Sequence, residues 1–338
     1  MQGIDTRSLG KVLVTGGTGF IGAALTKRLV DEGVRVRVLD NDARGDTERL
    51  GPYLDRVEHI EGDVRDYDLV LEATGGIDTV FHLAFINGTE NFYRFPGRVL
   101  DVGIRGALNT IDAAVSRGVR NYIVTSSSEV YQEPTRIPTP EDERIMIPDV
   151  KNPRFSYSGA KIITELLAIH YARRGSLRSV ICRPHNFYGP DMGMGHVIPQ
   201  FITRMLDLSG GCAEVDFPIQ GTGEETRAFC YIDDAVEGML ICAVRGMDRE
   251  IYHIGTEEEV SIAHLAEEIA SLMGLKLRLK KGELLPGGAR RRSPSISKLG
   301  SLGYRPRVGL REGLKRTIAW YADNEGVRTT AEREGVAR

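Results

Sequence analysis

The run Lys11-Val12-Leu13-Val14-Thr15 followed by Gly16-Gly17-Thr18-Gly19-Phe20-Ile21-Gly22 constrains the fold more than any other stretch of the chain. A short apolar run that stops at glycine reads as a buried parallel strand. The next residues carry Ile21, Leu25 and Leu29 at four-residue spacing and stop at Gly33, which suits a helix C-terminus. Strand, glycine loop and helix in that order begin a βαβ unit. Gly16, Gly19 and Gly22 permit a tight turn and let a pyrophosphate approach the N–H groups of the helix start, around Phe20 and Ile21. A glycine loop alone would also suit a plain turn, so the next strand matters. Val34, Val36 and Val38 alternate with Arg35 and Arg37, and the strand closes on Leu39-Asp40. Asp40 lies 18 residues after Gly22, where a carboxylate accepts both ribose hydroxyls of an adenosine and repels a 2′-phosphate. The pattern favours NAD over NADP, with Arg44 as the opposing feature.

The alternation continues through Val57–Ile60, Gly62-Asp63-Val64, Thr79-Val80-Phe81-His82-Leu83-Ala84, a helix over Val102–Val115 and the strand Tyr122–Thr125. Strands alternating with helices predict an α/β fold, a parallel sheet wound on both faces, whose ligands gather beyond the carboxyl ends of the strands. Asp40, Asp63, Ala84 and Ser127 all stand at such ends. Further on, Tyr157 and Lys161 are four apart and share one helix face. A phenol is a poor base at neutral pH. Bringing it to a useful pKa takes a differential stabilisation of about 4 kcal/mol, which a nearby ammonium and an oxidised nicotinamide would supply. Ser127 is placed to hydrogen-bond the same substrate alcohol. A surface helix with an ordinary Tyr/Lys pair is the plain alternative, and the upstream pattern weighs against it.

The net charge of −3 offers no field for nucleic acid or a membrane surface. Cys182, Cys212, Cys230 and Cys242 lack CxxC spacing and read as reduced thiols, and the seven histidines lack ligand spacing, so no metal is expected. No apolar stretch is long enough to span a membrane, and residues 1–9 lack a signal peptide's apolar core. A soluble, cytoplasmic protein is expected.

Taken together, Gly16-x-x-Gly19-x-x-Gly22, Asp63-Val64, His82-Leu83-Ala84, Ser127 and Tyr157-x-x-x-Lys161 resemble the extended short-chain dehydrogenase/reductases. Among these, the chain is similar to the nucleotide-sugar epimerases and dehydratases, from about residue 10 to about 322. The resemblance implies a Rossmann domain over 9–183 and about 228–255 and a smaller C-terminal α/β lobe over 184–227 and 256–322. A polar tail, 323–338, follows. It implies tightly held, recycled NAD, contacted by the glycine loop, Asp40, Asp63, Val64, Leu83, Ala84, Tyr157, Lys161 and Pro184. Tyr157 would take a sugar hydroxyl proton while hydride leaves the same carbon. Asn186, in Arg183-Pro184-His185-Asn186-Phe187-Tyr188-Gly189-Pro190, would contact the substrate diphosphate, and Val197 would lie against the base. Arg227 and Arg292, the latter in Arg292-Ser293-Pro294-Ser295-Ile296, would reach the phosphates or sugar. A homodimer built on helices near 100–117 and 157–173 is also implied.

The stretch Ser127-Ser128-Glu129-Val130-Tyr131-Gln132 separates the possible reactions. It resembles the Thr-Ser-Glu-Val-Tyr-Gly of UDP-glucuronate decarboxylases, with Gln132 in place of Gly. Ser128 stands where dTDP-glucose-type dehydratases carry an acidic Asp. Once a 4-keto group exists, a neighbouring C–H is acidic and a neighbouring carboxylate is a β-keto acid, and both benefit from a positioned carboxyl group. Glu129 therefore tilts the reading toward decarboxylation or elimination on an NDP-sugar, UDP preferred. A UDP-sugar 4-epimerase, with Glu129 merely orienting Tyr131 or Arg154, is the alternative. A ketone reductase consuming NADPH is the competitor from another class.

Overall fold

The structure, a computed structural model, describes residues 4–174, 176–209, 214–282 and 290–324. Cys212 and nearly all of the expected tail 323–338 lie outside the described residues. The strands are β1 (Val12–Thr15), β2 (Val36–Asp40), β3 (Glu58–Glu61), β4 (Thr79–His82), β5 (Asn121–Thr125), β6 (Arg178–Pro184), β7 (Phe187–Tyr188), β8 (Glu214–Ile219), β9 (Thr226–Ala228), β10 (Cys230–Tyr231), β11 (Glu250–Ile254), β12 (Glu259–Ser261), β13 (Lys276–Lys281) and β14 (Arg291–Arg292). Seven of them form one sheet in the order β11-β6-β5-β4-β1-β2-β3, and every neighbouring pair in it is parallel.

Side chains alternate across a strand, and β1 shows why helices must cover both faces. Val12 and Val14 pack in one apolar cluster with Leu25 and Leu29 of the helix Phe20–Asp31 and Leu240 of the helix Ile232–Arg245. Leu13 points the other way, into a cluster with Val80, Ile111, Tyr122 and Ala168. All three β1 residues are fully buried. This is the doubly wound Rossmann arrangement that the alternation predicted. Its order reverses beside β1, between β2 and β4, and that switch opens a crevice at the carboxyl ends of the strands.

After β6 the chain leaves the sheet, returns for β11 and leaves it again, and strands from the two excursions pair with one another. Strand β9 pairs with β12 and β14, and β8 pairs with β13. The β9–β14 pairing is parallel and sets Arg292 opposite Arg227. Cys182, Cys230 and Cys242 are buried free thiols.

Candidate active site

The crevice beside β1 is a groove lined by Gly16, Gly19, Asp40, Asp63, Val64, Leu83 and Ala84, joined by Arg44, Phe85, Arg98 and Val102 among others. Gly16 has φ +75°, and a Cβ there would stand 2.7 Å from the Ala84 backbone nitrogen. A Cβ on Gly22 would collide with the Gly16 carbonyl. Both positions therefore require glycine. The helix Phe20–Asp31 starts at Gly19 without a side-chain cap, so its first N–H groups are open to an anion. Phe20, Ile21 and Gly22 form that first turn. Pro184 stands two strands beyond β4, at the end of β6.

The Asp40 carboxylate accepts from the Thr18 N–H at 3.0 Å and the Asp42 N–H at 3.1 Å. It thereby ties the glycine loop to the end of β2. Asp63 accepts from Asn41 and, through three donors, from Arg65, and Arg65 beside it holds its carboxyl below the usual range. His82 is buried, 2.8 Å from the Thr15 hydroxyl through Nδ1, and burial pushes its pKa down to about 3. It is a neutral strut beneath the groove. A dinucleotide fits these residues: a glycine cradle for its pyrophosphate and a carboxylate at the ribose position.

Thr125, Ser127 and Ser128 stand at and just beyond the end of β5. The Thr125 carbonyl accepts a 2.7 Å hydrogen bond from Lys161 Nζ. The Ser127 hydroxyl lies close enough to Tyr157 to favour its phenolate, and it accepts from the Glu129 N–H at 3.2 Å. Ser128 is buried in the short turn that follows. Tyr157 and Lys161 share a face of the helix Ser156–His170, as their spacing predicts, and both are buried. The ammonium turns toward Thr125 and lies 3.9 Å from the Phe85 ring centroid, against 5.8 Å from that of Tyr157. Phe92 stacks on Tyr157 at 4.8 Å and Phe85 meets it edge-on at 5.1 Å. Burial dominates both groups: Tyr157 is pushed up to about 12 despite the nearby Ser127 hydroxyl, and Lys161 down to about 7. The chain's own charges thus leave Tyr157 a phenol at neutral pH. A cation beside the ring is needed to lower it.

A second cluster faces this one. Glu129 ion-pairs with Arg292, with Arg154 and Arg227 nearby. Burial pushes the Glu129 carboxyl up, but Arg292 first and then Arg154 and Arg227 outweigh it and hold the group below its usual range. Arg227 is itself lowered to about 10, by burial and then by Arg292. The Nε atoms of Arg292 and Arg154 are buried without a hydrogen-bond partner among the described residues. Asn186 and Val197 line a separate hollow of about 60 Å³ with Tyr188, Met192, His196 and Phe229. Asn186 has φ +44° and donates to the Ala228 carbonyl at 3.1 Å. Phe85, Phe92 and Glu165 are site neighbours that sequence reasoning missed. Phe85 directly follows His82-Leu83-Ala84, and that adjacency was the available signal.

The family model for the NAD dependent epimerase/dehydratase family matches residues 12–255. The chain belongs to that family. It is 34% identical over 311 residues to UDP-glucuronic acid decarboxylase 3 of Arabidopsis thaliana, covering 90% of this chain and 86% of that protein. It is 31% identical over 325 residues to a UDP-N-acetyl-alpha-D-glucosaminuronate decarboxylase of Bacillus cytotoxicus, covering 93% and 98%. Among solved structures it resembles DesIV, a dTDP-glucose 4,6-dehydratase of Streptomyces venezuelae with NAD bound, as a double mutant. That match has TM-score 0.83 and 28% identity and covers 93% of this chain and 98% of that one. A UDP-glucose 4-epimerase of Thermotoga maritima with UDP-glucose gives the same TM-score and identity, over 93% and 99%. The fold, the nucleotide-sugar enzyme class and the NAD dependence read from the sequence agree with these findings. Among the described residues, no helix is long and apolar enough to cross a membrane.

Proposed function

We propose that the protein is an NAD-dependent decarboxylase of a UDP-hexuronate, working through a 4-keto intermediate. One observation carries the reading: Glu129 sits among three arginines, two of which keep a buried Nε without a partner among the described residues. Such a cluster has cationic donors to spare for the substrate's diphosphate and for a carboxylate on its sugar. The relatives named as decarboxylases act on substrates that carry such a carboxylate.

The glycine loop, Asp40, Asp63 and Val64 would hold NAD, which when bound accepts hydride from C4 of the sugar and returns it. Tyr157, whose phenolate the positive charge of the oxidised cofactor would favour, would take the C4 hydroxyl proton. Ser127 orients that hydroxyl, and Lys161 keeps a positive charge behind the ring. The C6 carboxylate is then β to a ketone. The C5–C6 bond breaks, its electron pair moves toward O4, and carbon dioxide leaves. When the substrate carboxylate takes over the Arg292 hydrogen bonds, Glu129 loses its main counter-charge. Burial then raises its pKa, so it picks up a proton and delivers it to C5. Reduction at C4, with Tyr157 returning the proton to O4, gives the pentose product. Each turnover consumes one proton from solvent, and the cofactor is regenerated.

Asn186 and Val197 would hold the diphosphate and base. The protein is also proposed to be a homodimer. Leu100 and Leu166 are exposed on neighbouring helices, with Tyr93 and Phe95 close by in sequence, and light scattering on a Leu166→Glu variant would give a monomer. The test of the main reading is incubation with UDP-glucuronate, which should release carbon dioxide. A product of unchanged mass would favour the 4-epimerase reading instead.

A further inference from the structure

Behind the catalytic pair lies a buried polar chain that the chemistry above does not use. Glu165 sits one helical turn beyond Lys161, its side chain 4% exposed, and forms a two-point ion pair with Arg183 through Nε at 2.7 Å and Nη2 at 2.6 Å. The same carboxylate accepts a hydrogen bond from the Ser126 hydroxyl. Arg183 also donates to the Tyr131 hydroxyl and to the Glu141 carbonyl. Tyr131 continues to His253 Nε2 at 2.6 Å, and His253 Nδ1 lies 3.2 Å from the Ser295 carbonyl.

Ser126 stands between the two residues beside the catalytic pair. Thr125 offers its carbonyl to Lys161, and Ser127 brings its hydroxyl close to Tyr157. Ser126 is fixed twice, by its N–H to the Cys182 carbonyl at 2.7 Å and by its hydroxyl to Glu165. A shift of this tripeptide would move both contacts together.

We propose that Glu165 is a positioning residue for the oxidation step: through Ser126 it locks the end of β5 that aims Lys161 and Tyr157. The proposal rests on the Tyr157–Lys161 oxidation step, which decarboxylase and epimerase chemistry share. Lys161 has few other neighbours able to compensate its charge. Tyr157 on its own helix is a phenol, His82 on β4 is neutral, Thr125 offers only a carbonyl, and Phe85 offers a ring face. Glu165 is the group that opposes the effect of burial on Lys161. Its own neighbours are Arg183, Ser126 and, at longer range, Tyr131.

Two variants separate positioning from stability. Ser126→Ala keeps the Glu165–Arg183 pair and removes only the link to β5. The double variant Glu165→Gln/Arg183→Met removes both buried charges together, so that neither is left unpaired. The first readout is the phenolate absorbance of Tyr157 in NAD-loaded protein, with Tyr157→Phe as the blank. It needs no turnover. With the Glu165–Ser126 link gone, the end of β5 no longer holds Lys161 in place behind the Tyr157 ring, so the Tyr157 titration should move up by about one pH unit in each variant. The second readout is kcat with UDP-glucuronate. It should fall by on the order of tenfold to a hundredfold in each variant, while NAD content stays at the wild-type level. A Tyr157 titration and kcat unchanged in both variants, with only the unfolding temperature altered, would overturn the proposal. Its failure is distinct from failure of the decarboxylase reading, which would show as wild-type protein releasing no carbon dioxide with the titration shift intact.

Discussion

Replacing Glu129 by Gln keeps the side chain's length and removes the carboxylate that faces Arg292, Arg154 and Arg227. Three consequences follow. First, on the proposed mechanism C5 loses its acid. General acid catalysis contributes about 10²–10⁴-fold, so kcat for carbon dioxide release should fall at least about a hundredfold, roughly 3 kcal/mol on the barrier. Second, the guanidinium of Arg292 loses its partner. Breaking a fully buried pair costs about 3–5 kcal/mol. Here 25% of the Glu129 side chain and 10% of that of Arg292 are exposed, so a loss of about 2 kcal/mol is expected once solvent screening is allowed for. Third, a hexuronate carboxylate supplies the missing charge. UDP-glucuronate should therefore raise the variant's unfolding temperature more than UDP-glucose does, and by a larger margin than in the wild type. Carbon dioxide release and calorimetry with the two ligands read all three effects. A variant that decarboxylates within threefold of wild type, with no preference for the acidic sugar, would refute the reasoning.

Three further outcomes are expected. Tyr157→Phe should abolish turnover while NAD stays bound, measured as cofactor released on denaturation; normal activity would remove Tyr157 from the chemistry. Gly16→Ala forces a Cβ to 2.7 Å from the Ala84 nitrogen at a positive φ, so cofactor content should fall at least about tenfold, a barrier of more than 1 kcal/mol to be met by displaced backbone. His82 and His253 are both held down to about 3 by burial, so the unfolded chain binds protons there that the fold does not. Their contribution is fully present above pH ~6.5 and is lost as pH falls toward 3, about 2 kcal/mol each by pH 5. Calorimetry from pH 7 to 5 should show the unfolding temperature fall, and a flat profile would contradict the burial of these rings.

Much of the cofactor half was legible because its signals are local. The β1 run, the glycine loop and Asp40 lie within one βαβ unit, and each meets a steric or charge demand that few residue types satisfy. The spacing of Tyr157 and Lys161 gave their shared helix face. It could not give the direction of the ammonium, which is decided by the Thr125 carbonyl at the end of β5 and the Phe85 ring in the loop after β4, contacts far away in the sequence. Phe85 and Phe92 escaped notice because apolar residues beside a motif read as ordinary core. Arg292 was reached only through resemblance. Its place opposite Arg227 depends on the β9–β14 register, which no local periodicity encodes. Glu165 was invisible for the same reason: a Glu on a helix reads as a solvated face until a buried Arg183 from β6 is set against it.

The most direct test of the account is the reaction of purified protein with UDP-glucuronate in deuterated water, with the product followed by mass and proton NMR. Oxidation at C4, loss of the C6 carboxylate and delivery of a solvent-derived proton to C5 predict a UDP-pentose carrying one deuterium at C5. A product that retains the carboxylate, with C5 undeuterated and only the C4 configuration changed, would contradict decarboxylation and return Glu129 to a structural role.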